Sequence, residues 1–401
     1  MKFTLQLYRG AGKAIDYYGR YHPSVLSIQQ FIDFSKKTNS SKQSFLFLRK
    51  EIPVRLANIM KEIQLLPDKL LEMPSVKIVK GWYEQSFEDI LEFENADPNN
   101  TATLQKFLES LNNIRNRHLT VFEKMAAGMV EMKDYLHVED LSNLDERIHY
   151  FLDRFYLSRI SIRLIIHQHL LLFGKSDSIN SSSLIGCFDP DCDVQAVAYD
   201  AYRNARSLCE QYYKVAPECM FNIQKRLDKI SMTYVPVHLY YILFELFKNS
   251  LRAVVEFDKN NNSSNHSSGL PPLDVLICKG REDITIRLAD HGGGIPRKDL
   301  DKIFNYLYTS AKLPSDFSAK SNPPLAGYGY GLPISRLYAK YFNGDLIINS
   351  VDGFGTDALL YLKVLPKEAS ELLPVYNKTS SLKYTDSIQV KDWSEPFKTV
   401  N

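Results

Sequence analysis

The chain has 401 residues, more than the roughly 100–200 of one ordinary domain, so its length favours two domains. Hydrophobic residues make up 44% and charged residues 24%, which excludes an intrinsically disordered or fibrous protein. Its 49 Lys and Arg against 47 Asp and Glu leave a net charge of +2, too small for a protein that binds nucleic acid mainly by releasing counterions. No apolar run reaches the ~18–20 residues of a membrane span, so we expect neither a nucleic-acid partner nor a membrane span.

The cysteines and the N-terminus bear on the compartment. Cysteine occurs five times, at positions 187, 192, 209, 219 and 278, without a Cys-x-x-Cys pair. An odd, scattered set predicts reduced thiols and therefore an intracellular protein. The residues before Asp16 include Lys2, Arg9 and Lys13 and no acid, a weak match to a basic organelle-targeting leader.

The first part of the chain, residues 23–173, has the apolar spacing of helices. One helix is predicted to begin at Pro53, a residue suited to a first helical turn, and to end at Pro67. A second, over residues 151–173, is apolar around much of its circumference, as in the centre of a bundle. We therefore predict a four-helix-bundle-like domain over residues 1–178, which ends in a Ser-rich linker.

The second part of the chain mixes strands with helices. Residues 284–288 alternate apolar and polar side chains, the period of a half-buried strand. Further strands are predicted at residues 274–279, 345–349 and 356–364. These elements predict an α/β sandwich over residues 187–365, and hence an α+β protein. The polar residues 366–401 are predicted to form a tail that needs a partner surface to order it.

A predicted helix ahead of these strands has the first chemical feature. Tyr241, Glu245 and Asn249 follow one another at intervals of one turn, beside an apolar stripe. A carboxylate in such apolar surroundings must be paired, bind a ligand or raise its pKa, because burying it alone costs several kcal/mol. An ion pair with Lys248 or Arg252 on the same helix is the structural alternative to a functional role.

Glycine-rich runs predict loops that approach a ligand closely. Asp290 ends a predicted strand and begins Asp-His-Gly-Gly-Gly, which places an acceptor at a sheet edge. Alternate glycines at residues 327–331 leave backbone N–H groups free to hold phosphate oxygens at a helix N-terminus. A turn over residues 353–356 brings Thr356 back toward Asp290. His-Gly-Gly-Gly also resembles an esterase oxyanion loop, but the sequence has no Gly-x-Ser-x-Gly for the nucleophile.

The four runs, in this order, resemble the N, G1, G2 and G3 boxes of the GHKL (Bergerat) ATP-binding fold shared by DNA gyrase B, Hsp90, MutL and the sensor histidine kinases. Residues 151–163, 243–249 and 329–342 are similar to the mitochondrial pyruvate dehydrogenase kinases, and residues 53–63 and 373–378 extend the likeness over nearly the whole chain. This resemblance implies a protein-serine kinase that uses Mg-ATP. Its implied substrate is the E1 α subunit of the pyruvate dehydrogenase complex, which phosphorylation inactivates.

The resemblance also implies roles for individual residues. Glu245 matches the carboxylate that orients or deprotonates the acceptor hydroxyl, Asn249 the Mg²⁺ ligand, and Asp290 the acceptor for the adenine amino group. An amide oxygen is a hard ligand suited to Mg²⁺, and phosphoryl transfer depends mainly on positioning and charge neutralisation. The implied nucleotide pocket is completed by Lys248, Arg252, Gly292, Gly294, Thr309, Ser310, Gly327, Tyr328, Gly329, Tyr330, Gly331, Leu332 and Thr356.

For the helical domain, the resemblance implies regulation and docking. His118 matches a position associated with activation of Glu245, although the residues after it depart from the family, and Arg159 matches an allosteric pocket for pyruvate-like carboxylates. Asp392 and Trp393 match a motif that anchors crossed C-terminal arms in a homodimer. The implied compartment is the mitochondrial matrix. A pocket for the lipoyl-lysine of the E2 lipoyl domain is implied at Leu26, Phe31, Phe34 and Phe47.

Three alternatives stay open at this point. A sensor histidine kinase shares the boxes but needs an acceptor histidine, typically followed by an acid, and none of His118, His167 and His169 is so followed. The kinase of branched-chain 2-oxoacid dehydrogenase is a sister family, although the run Ile-Ser-Arg-Leu-Tyr-Ala-Lys favours the pyruvate branch. A non-catalytic, nucleotide-gated scaffold that docks on E2 is the alternative of another class.

Overall fold

The computed structural model describes residues 12–37, 41–136, 146–174, 184–223, 229–261, 269–309, 329–377 and 380–381. A helical half precedes a half built on a mixed sheet, which confirms the predicted α+β class. All five cysteines are free thiols, as expected. Across the described ranges, no helix has the length and apolar character that crossing a membrane requires.

The helical half consists of α1 (Ile28–Lys37), α2 (Ser41–Ile63), α3 (Asp68–Leu71), α4 (Pro74–Leu91), α5 (Thr101–Arg117), α6 (Val121–Leu136) and α7 (Glu146–Phe173). Residues 12–18 are helical as well. α7 packs against both α2 and α5, and it also contacts the second half of the chain. Its position agrees with its sequence, since a helix that is apolar on most sides must be covered on most sides.

The prediction that a helix begins at Pro53 is wrong. α2 begins at Ser41 and continues through Pro53 to Ile63. Proline removes one backbone hydrogen bond from a helix interior, which normally ends or kinks the helix. Phe45 before it and Leu56 after it are both fully buried in the same core, so tertiary packing outweighs the local preference.

The second half contains a five-stranded sheet and the helices that cover it. Its elements are β1 (Asp189–Asp193), α8 (Val194–Tyr213), β2 (Cys219–Ile223), β3 (Ser231–Tyr234), α9 (Pro236–Asn261), β4 (Leu273–Lys279), β5 (Asp283–Asp290), α10 (Arg297–Leu300), α11 (Gly331–Tyr341), β6 (Asp345–Val351) and β7 (Gly355–Lys363). The strand order is β2-β4-β5-β7-β6, parallel between β2 and β4 and antiparallel elsewhere, while β1 and β3 pair separately. α9 packs on α8, α11 and β5.

The register of the sheet places the ends of two strands together. β5 and β7 pair from Asp283 opposite Lys363 to Asp290 opposite Thr356. Ile284, Ile286 and Leu288 point into the core, as their alternation predicts. The two glycine-rich turns that follow β5 and precede β7 therefore meet at one edge, beside α9.

Residues 366–377 lie against the helical half of the same chain. The Ile28 N–H donates to Ala369 O at 2.9 Å, and the Glu371 N–H donates to Leu26 O at 2.9 Å. Arg55 of α2 binds Glu371 at 2.9 Å. This stretch was expected to need a partner surface, and the chain itself provides one. Residues 382–401, which include Asp392 and Trp393, lie outside the described residues.

Candidate ATP-binding site

Glu245 lies on α9 with its two carboxylate oxygens in different surroundings. Its side chain is 14% exposed, and Oε1 accepts from Lys248 Nζ at 2.9 Å. The predicted ion-pair alternative is therefore present, and Arg252 instead lies 3.9 Å from Glu256. Oε2 faces Gly331, where an added Cβ would lie 2.4 Å from it. A larger residue at position 331 would displace this carboxylate, and among the described residues no hydrogen-bond donor engages Oε2, so it can accept one from a substrate.

Asp290 is buried at the edge of the sheet, with 6% of its surface exposed. Oδ1 accepts the Gly292 N–H at 3.0 Å and the Thr356 N–H at 3.3 Å. Burial raises the pKa of this carboxyl, while the hydrogen bonds from Gly292, the Ser250 hydroxyl and Thr356 oppose the rise. A buried acceptor fixed by three donors is suited to recognise a flat, polar ligand edge such as an adenine amino group.

The glycine turn after Asp290 is tied to the turn before β7. Gly294 has a φ of 72°, and an added Cβ there would lie 2.0 Å from Val351 O, so no other residue fits. Ser350 Oγ accepts the Ile295 N–H at 2.7 Å, donates to Gly355 O at 3.1 Å, and lies 2.9 Å from the Thr356 hydroxyl. Sequence reasoning missed Ser350 and the role of Ser250, because their partners lie far away in the chain.

The second glycine loop leads into α11. Gly329 has a φ of 77°, and Gly331 is the first residue of the helix, which no side chain of the described residues caps. The N–H groups of its first turn are therefore available to an anion, as the sequence predicted. The Tyr330 ring contacts Tyr156 of α7 at 5.9 Å and Tyr306 at 5.3 Å, and Leu332 packs on the core.

Four other predicted pocket residues fall at the margins of the described ranges. Thr309 is partly buried at the end of its range, whereas Ser310, Gly327 and Tyr328 lie outside the described residues.

Asn249 is the predicted magnesium ligand. It is half-buried, one turn after Glu245, and in the described part of the chain no hydrogen bond engages its amide. No group of three or more His, Cys, Asp or Glu side chains that could hold a metal occurs within those same residues. Mg²⁺ commonly takes one or two protein oxygens and completes its shell with phosphates and waters, so a single amide oxygen fits that ion.

His118 lies inside the helical half. It is 1% exposed, stacks on Tyr83 at 4.6 Å between ring centroids, and shares a hydrogen bond of 3.0 Å with Ser86 through Nε2. Burial lowers the pKa of His118 to about 3, so its ring is neutral near pH 7. No contact within the described residues joins His118 to Glu245, and the predicted influence of one on the other stays a prediction.

Arg159 is close to His118. Its Nη2 donates to His118 O at 3.0 Å, and its guanidinium lies over the Phe122 ring at 4.1 Å. Arg159 Nε, Arg163 Nη1 and Tyr83 Oη are buried and have no hydrogen-bond partner among the residues that the structure describes. Burial and the charge of Arg159 lower the pKa of Arg163, as expected for neighbouring cations. Unpaired buried donors are costly, so this group is suited to receive an anion.

The four residues of the predicted lipoyl pocket differ in exposure. Phe34 is 37% exposed and its ring lies 6.0 Å from that of the half-buried Phe47. Phe31 is buried and stacks on Phe188 at 5.1 Å, and Leu26 is half-buried. Phe34 and Phe47 thus form an aromatic surface, whereas Phe31 belongs to the core.

Comparison with known families gives the class of this fold and site. Residues 234–366 match the model of the histidine kinase-, DNA gyrase B-, and HSP90-like ATPases. That range contains α9, both glycine turns and α11, the elements that form the site described above. Residues 25–189 match a model described as mitochondrial branched-chain alpha-ketoacid dehydrogenase kinase.

Full-length relatives define the family more narrowly. The mitochondrial [pyruvate dehydrogenase (acetyl-transferring)] kinase of Drosophila melanogaster is 52% identical over 392 residues, 96% of this chain and 92% of the relative. Isozyme 3 of Mus musculus is 48% identical and isozyme 4 of Homo sapiens 46%, each over 96% of this chain and over 91% and 93% of the relative. The chain therefore belongs to the pyruvate dehydrogenase kinase family.

Proposed function

We propose that this chain is a protein-serine kinase that transfers the γ-phosphoryl group of ATP to the E1 α subunit of pyruvate dehydrogenase and thereby inactivates the complex. The main support is Glu245, whose free Oε2 lies against the start of α11, where the phosphates are expected. The pyruvate rather than the branched-chain substrate is supported by identities of 45–52% to kinases named for pyruvate dehydrogenase.

The nucleotide would be held from two sides. Asp290 accepts from the adenine amino group, and the backbone N–H groups at the first turn of α11 bind the phosphates. Bound Mg²⁺ neutralises phosphate charge, and Asn249 is the residue that would hold it. Backbone N–H groups of the glycine loop would therefore bind the phosphates in this site, where other proteins use basic side chains.

The transfer step needs a positioned acceptor more than a strong base. The acceptor serine donates its proton to Glu245 Oε2, its oxygen bonds to the γ-phosphorus, and the bond from phosphorus to the β-phosphate oxygen breaks to release ADP. Lys248 binds Oε1 at 2.9 Å, which holds the carboxylate in one orientation and leaves Oε2 for the acceptor hydroxyl.

An anion pocket around Arg159 and His118 would make the helical half regulatory. The buried, unpartnered donors of Arg159, Arg163 and Tyr83 support a site for a pyruvate-like carboxylate. Pyruvate should then raise the thermal midpoint of the wild-type protein and leave that of Arg159→Met unchanged. An equal shift in both proteins would place the anion elsewhere.

Docking on E2 and dimerisation complete the proposal. Exposed Phe34 and half-buried Phe47 support a contact with the lipoyl group of E2, which Phe34→Ala should weaken in a pull-down with lipoylated domain.

A homodimer is supported by one face of the sheet, where Leu276 and Ile347 are exposed, and sedimentation at micromolar concentration tests it. The compartment is the mitochondrial matrix, in line with the mitochondrial names of the relatives, and imaging of the full-length protein tests it.

The decisive experiment supplies Mg-ATP with pyruvate E1 alone, with E1 plus lipoylated E2, and with branched-chain E1. We expect serine phosphate and loss of activity on pyruvate E1, with faster labelling when E2 is present. If the wild type labels neither E1, the kinase proposal is wrong, and binding to E2 without labelling would favour the scaffold.

Glu245→Gln is the matching variant. Turnover should fall by about 100-fold or more, the usual range for losing a general base, while ATP affinity stays within about threefold. Glu256→Gln, on the exposed end of the same helix, is the control and should keep full turnover. A Glu245→Gln enzyme within twofold of wild type would assign Glu245 a structural role.

A further inference from the structure

Tyr241 is a hydroxyl of the site that the proposed mechanism leaves without a role. It precedes Glu245 by four residues on α9, so both side chains leave the helix on the same side, one turn apart. The residue is half-buried, and within the described residues no hydrogen bond engages its hydroxyl. Burial and the charge of Glu245 both act on this hydroxyl, and it is not among the fully buried polar atoms that lack a partner in the described part of the chain.

The Tyr241 ring is held by the same two helices that place Glu245. It packs on Tyr338 of α11 at 5.1 Å between centroids, and Tyr338 packs in turn on His238 at 4.6 Å. α11 begins at Gly331, the residue in contact with Glu245. The Tyr241 ring and the Glu245 carboxylate thus both lie against α11, which constrains the two side chains together.

The electrostatics keep this hydroxyl protonated. Burial raises the pKa of Tyr241 far above its usual value, and the negative charge of Glu245 raises it further. A phenol in this setting is a hydrogen-bond donor throughout the physiological pH range.

We propose that Tyr241 positions the acceptor serine, an inference that rests on the proposed kinase function. The serine oxygen would accept a hydrogen bond from the Tyr241 hydroxyl while its own proton is donated to Glu245 Oε2. The serine oxygen then has one lone pair left, and its hydrogen bonds to Tyr241 and Glu245 direct that lone pair at the γ-phosphorus. Tyr241 takes no proton and forms no covalent bond, so its contribution is orientation of the substrate.

The competing explanation is that the ring alone matters, as part of the packing between α9 and α11. Phenylalanine keeps the ring and removes only the hydroxyl, so Tyr241→Phe separates the two explanations. Tyr338→Phe is the matched control, because it removes the hydroxyl of the ring that packs against Tyr241. The charged groups that act on the Tyr338 hydroxyl are Arg159 and Arg163, and Glu245 is not among them.

The experiment measures E1 phosphorylation by the full-length kinase with lipoylated E2 and Mg-ATP, together with the affinity for ATP and the thermal midpoint. For Tyr241→Phe we expect kcat/KM for E1 to fall about five- to tenfold, the effect of one neutral hydrogen bond, with ATP affinity and thermal midpoint unchanged. Tyr338→Phe should stay within twofold of wild type in all three measurements.

Three outcomes would overturn the inference: activity of Tyr241→Phe within twofold of wild type, an equal loss in Tyr338→Phe, or a loss that appears as weaker ATP binding. The wild type assayed in parallel separates this from the larger proposal. A wild type that fails to label E1 refutes the kinase function and Tyr241 with it, whereas a fully active Tyr241→Phe refutes the role of Tyr241 alone.

Discussion

The two halves of the molecule differ in how many charged or titratable side chains they bury and in how these are paired. The helical half places several charged or titratable side chains in its interior and pairs most of them within the protein. They include Glu51, Arg55, Glu62, His118, Arg159 and His169. The sheet of the second half is apolar inside and buries one carboxylate, Asp290, at its edge. Most of the buried charge in the first half is thus paired within the protein, whereas Asp290 in the second half is the residue proposed to recognise a ligand.

The clearest buried charge of the first half is a cluster around Arg55. Arg55, 2% exposed, binds Glu51 at 2.8 Å and Glu371 at 2.9 Å. Burial disfavours its charge, but the two carboxylates outweigh this and raise the pKa of the guanidinium. The Ser24 N–H donates to Glu51 at 2.8 Å, and the Tyr341 hydroxyl donates to Glu371. The cluster therefore fastens the C-terminal stretch and α11 to the helical half.

The largest expected effect follows from breaking this cluster. Arg55→Met leaves the two buried carboxylates of Glu51 and Glu371 without their cation, so the free energy of unfolding should fall by about 3–5 kcal/mol. Chemical denaturation of the purified protein measures it.

An exposed ion pair of the second half provides the control. Arg206 binds Glu210 and Glu218 at the surface, and Arg206→Met should cost at most about 1 kcal/mol. If the two variants lose similar stability, buried charge is not what holds the helical half together.

The second prediction tests the opposite use of buried charge, at Asp290. Asp290→Asn would put an amide N–H donor in place of the oxygen that is proposed to accept from the adenine amino group, and the affinity for ATP should fall about 100-fold. The free energy of unfolding should change by no more than about 1 kcal/mol, because burial already disfavours the charge of Asp290. Calorimetric titration with ATP and denaturation of the apo protein give the two numbers.

Asp357→Asn is the matched variant on the neighbouring strand. Asp357 is partly exposed and binds Arg287 at 3.0 Å, and its side chain leaves β7 on the face opposite to that of Thr356. It should bind ATP as the wild type does. Wild-type affinity in Asp290→Asn would remove Asp290 from the adenine site.

This contrast also explains how far the sequence could predict the structure. The proposed ATP site is built from short runs of sequence in which a polar residue or a glycine repeat can be recognised locally. The sequence therefore predicts Glu245, Asp290 and the two glycine loops together. The sheet is predicted from the alternation of apolar and polar side chains. The partner of Arg55 is 316 positions away at Glu371, and no local pattern reveals it. The interior position of Pro53 was missed for the same reason, since only the assembled core offsets the lost hydrogen bond.

The third prediction concerns pH and the buried histidines of the helical half, with an effect that is small for each pH unit. Burial lowers the pKa of His118 from 6.5 to about 3. Between these values the unfolded chain binds a proton that the native protein does not, so stability falls as pH drops below about 6.5, by up to about 1.4 kcal/mol per pH unit. His118→Gln removes this contribution and should flatten the dependence of unfolding free energy on pH between about 6.5 and 4.

His169 is the matched comparison, because burial lowers its pKa to about 4. The difference between wild type and His169→Gln should stop growing near pH 4, whereas that for His118→Gln should continue toward pH 3. Equal slopes in wild type and His118→Gln would mean that His118 is protonated in the native state. The ring would then be a buried cation beside Arg159 below about pH 6.5, and the lowered pKa of His118 would be wrong.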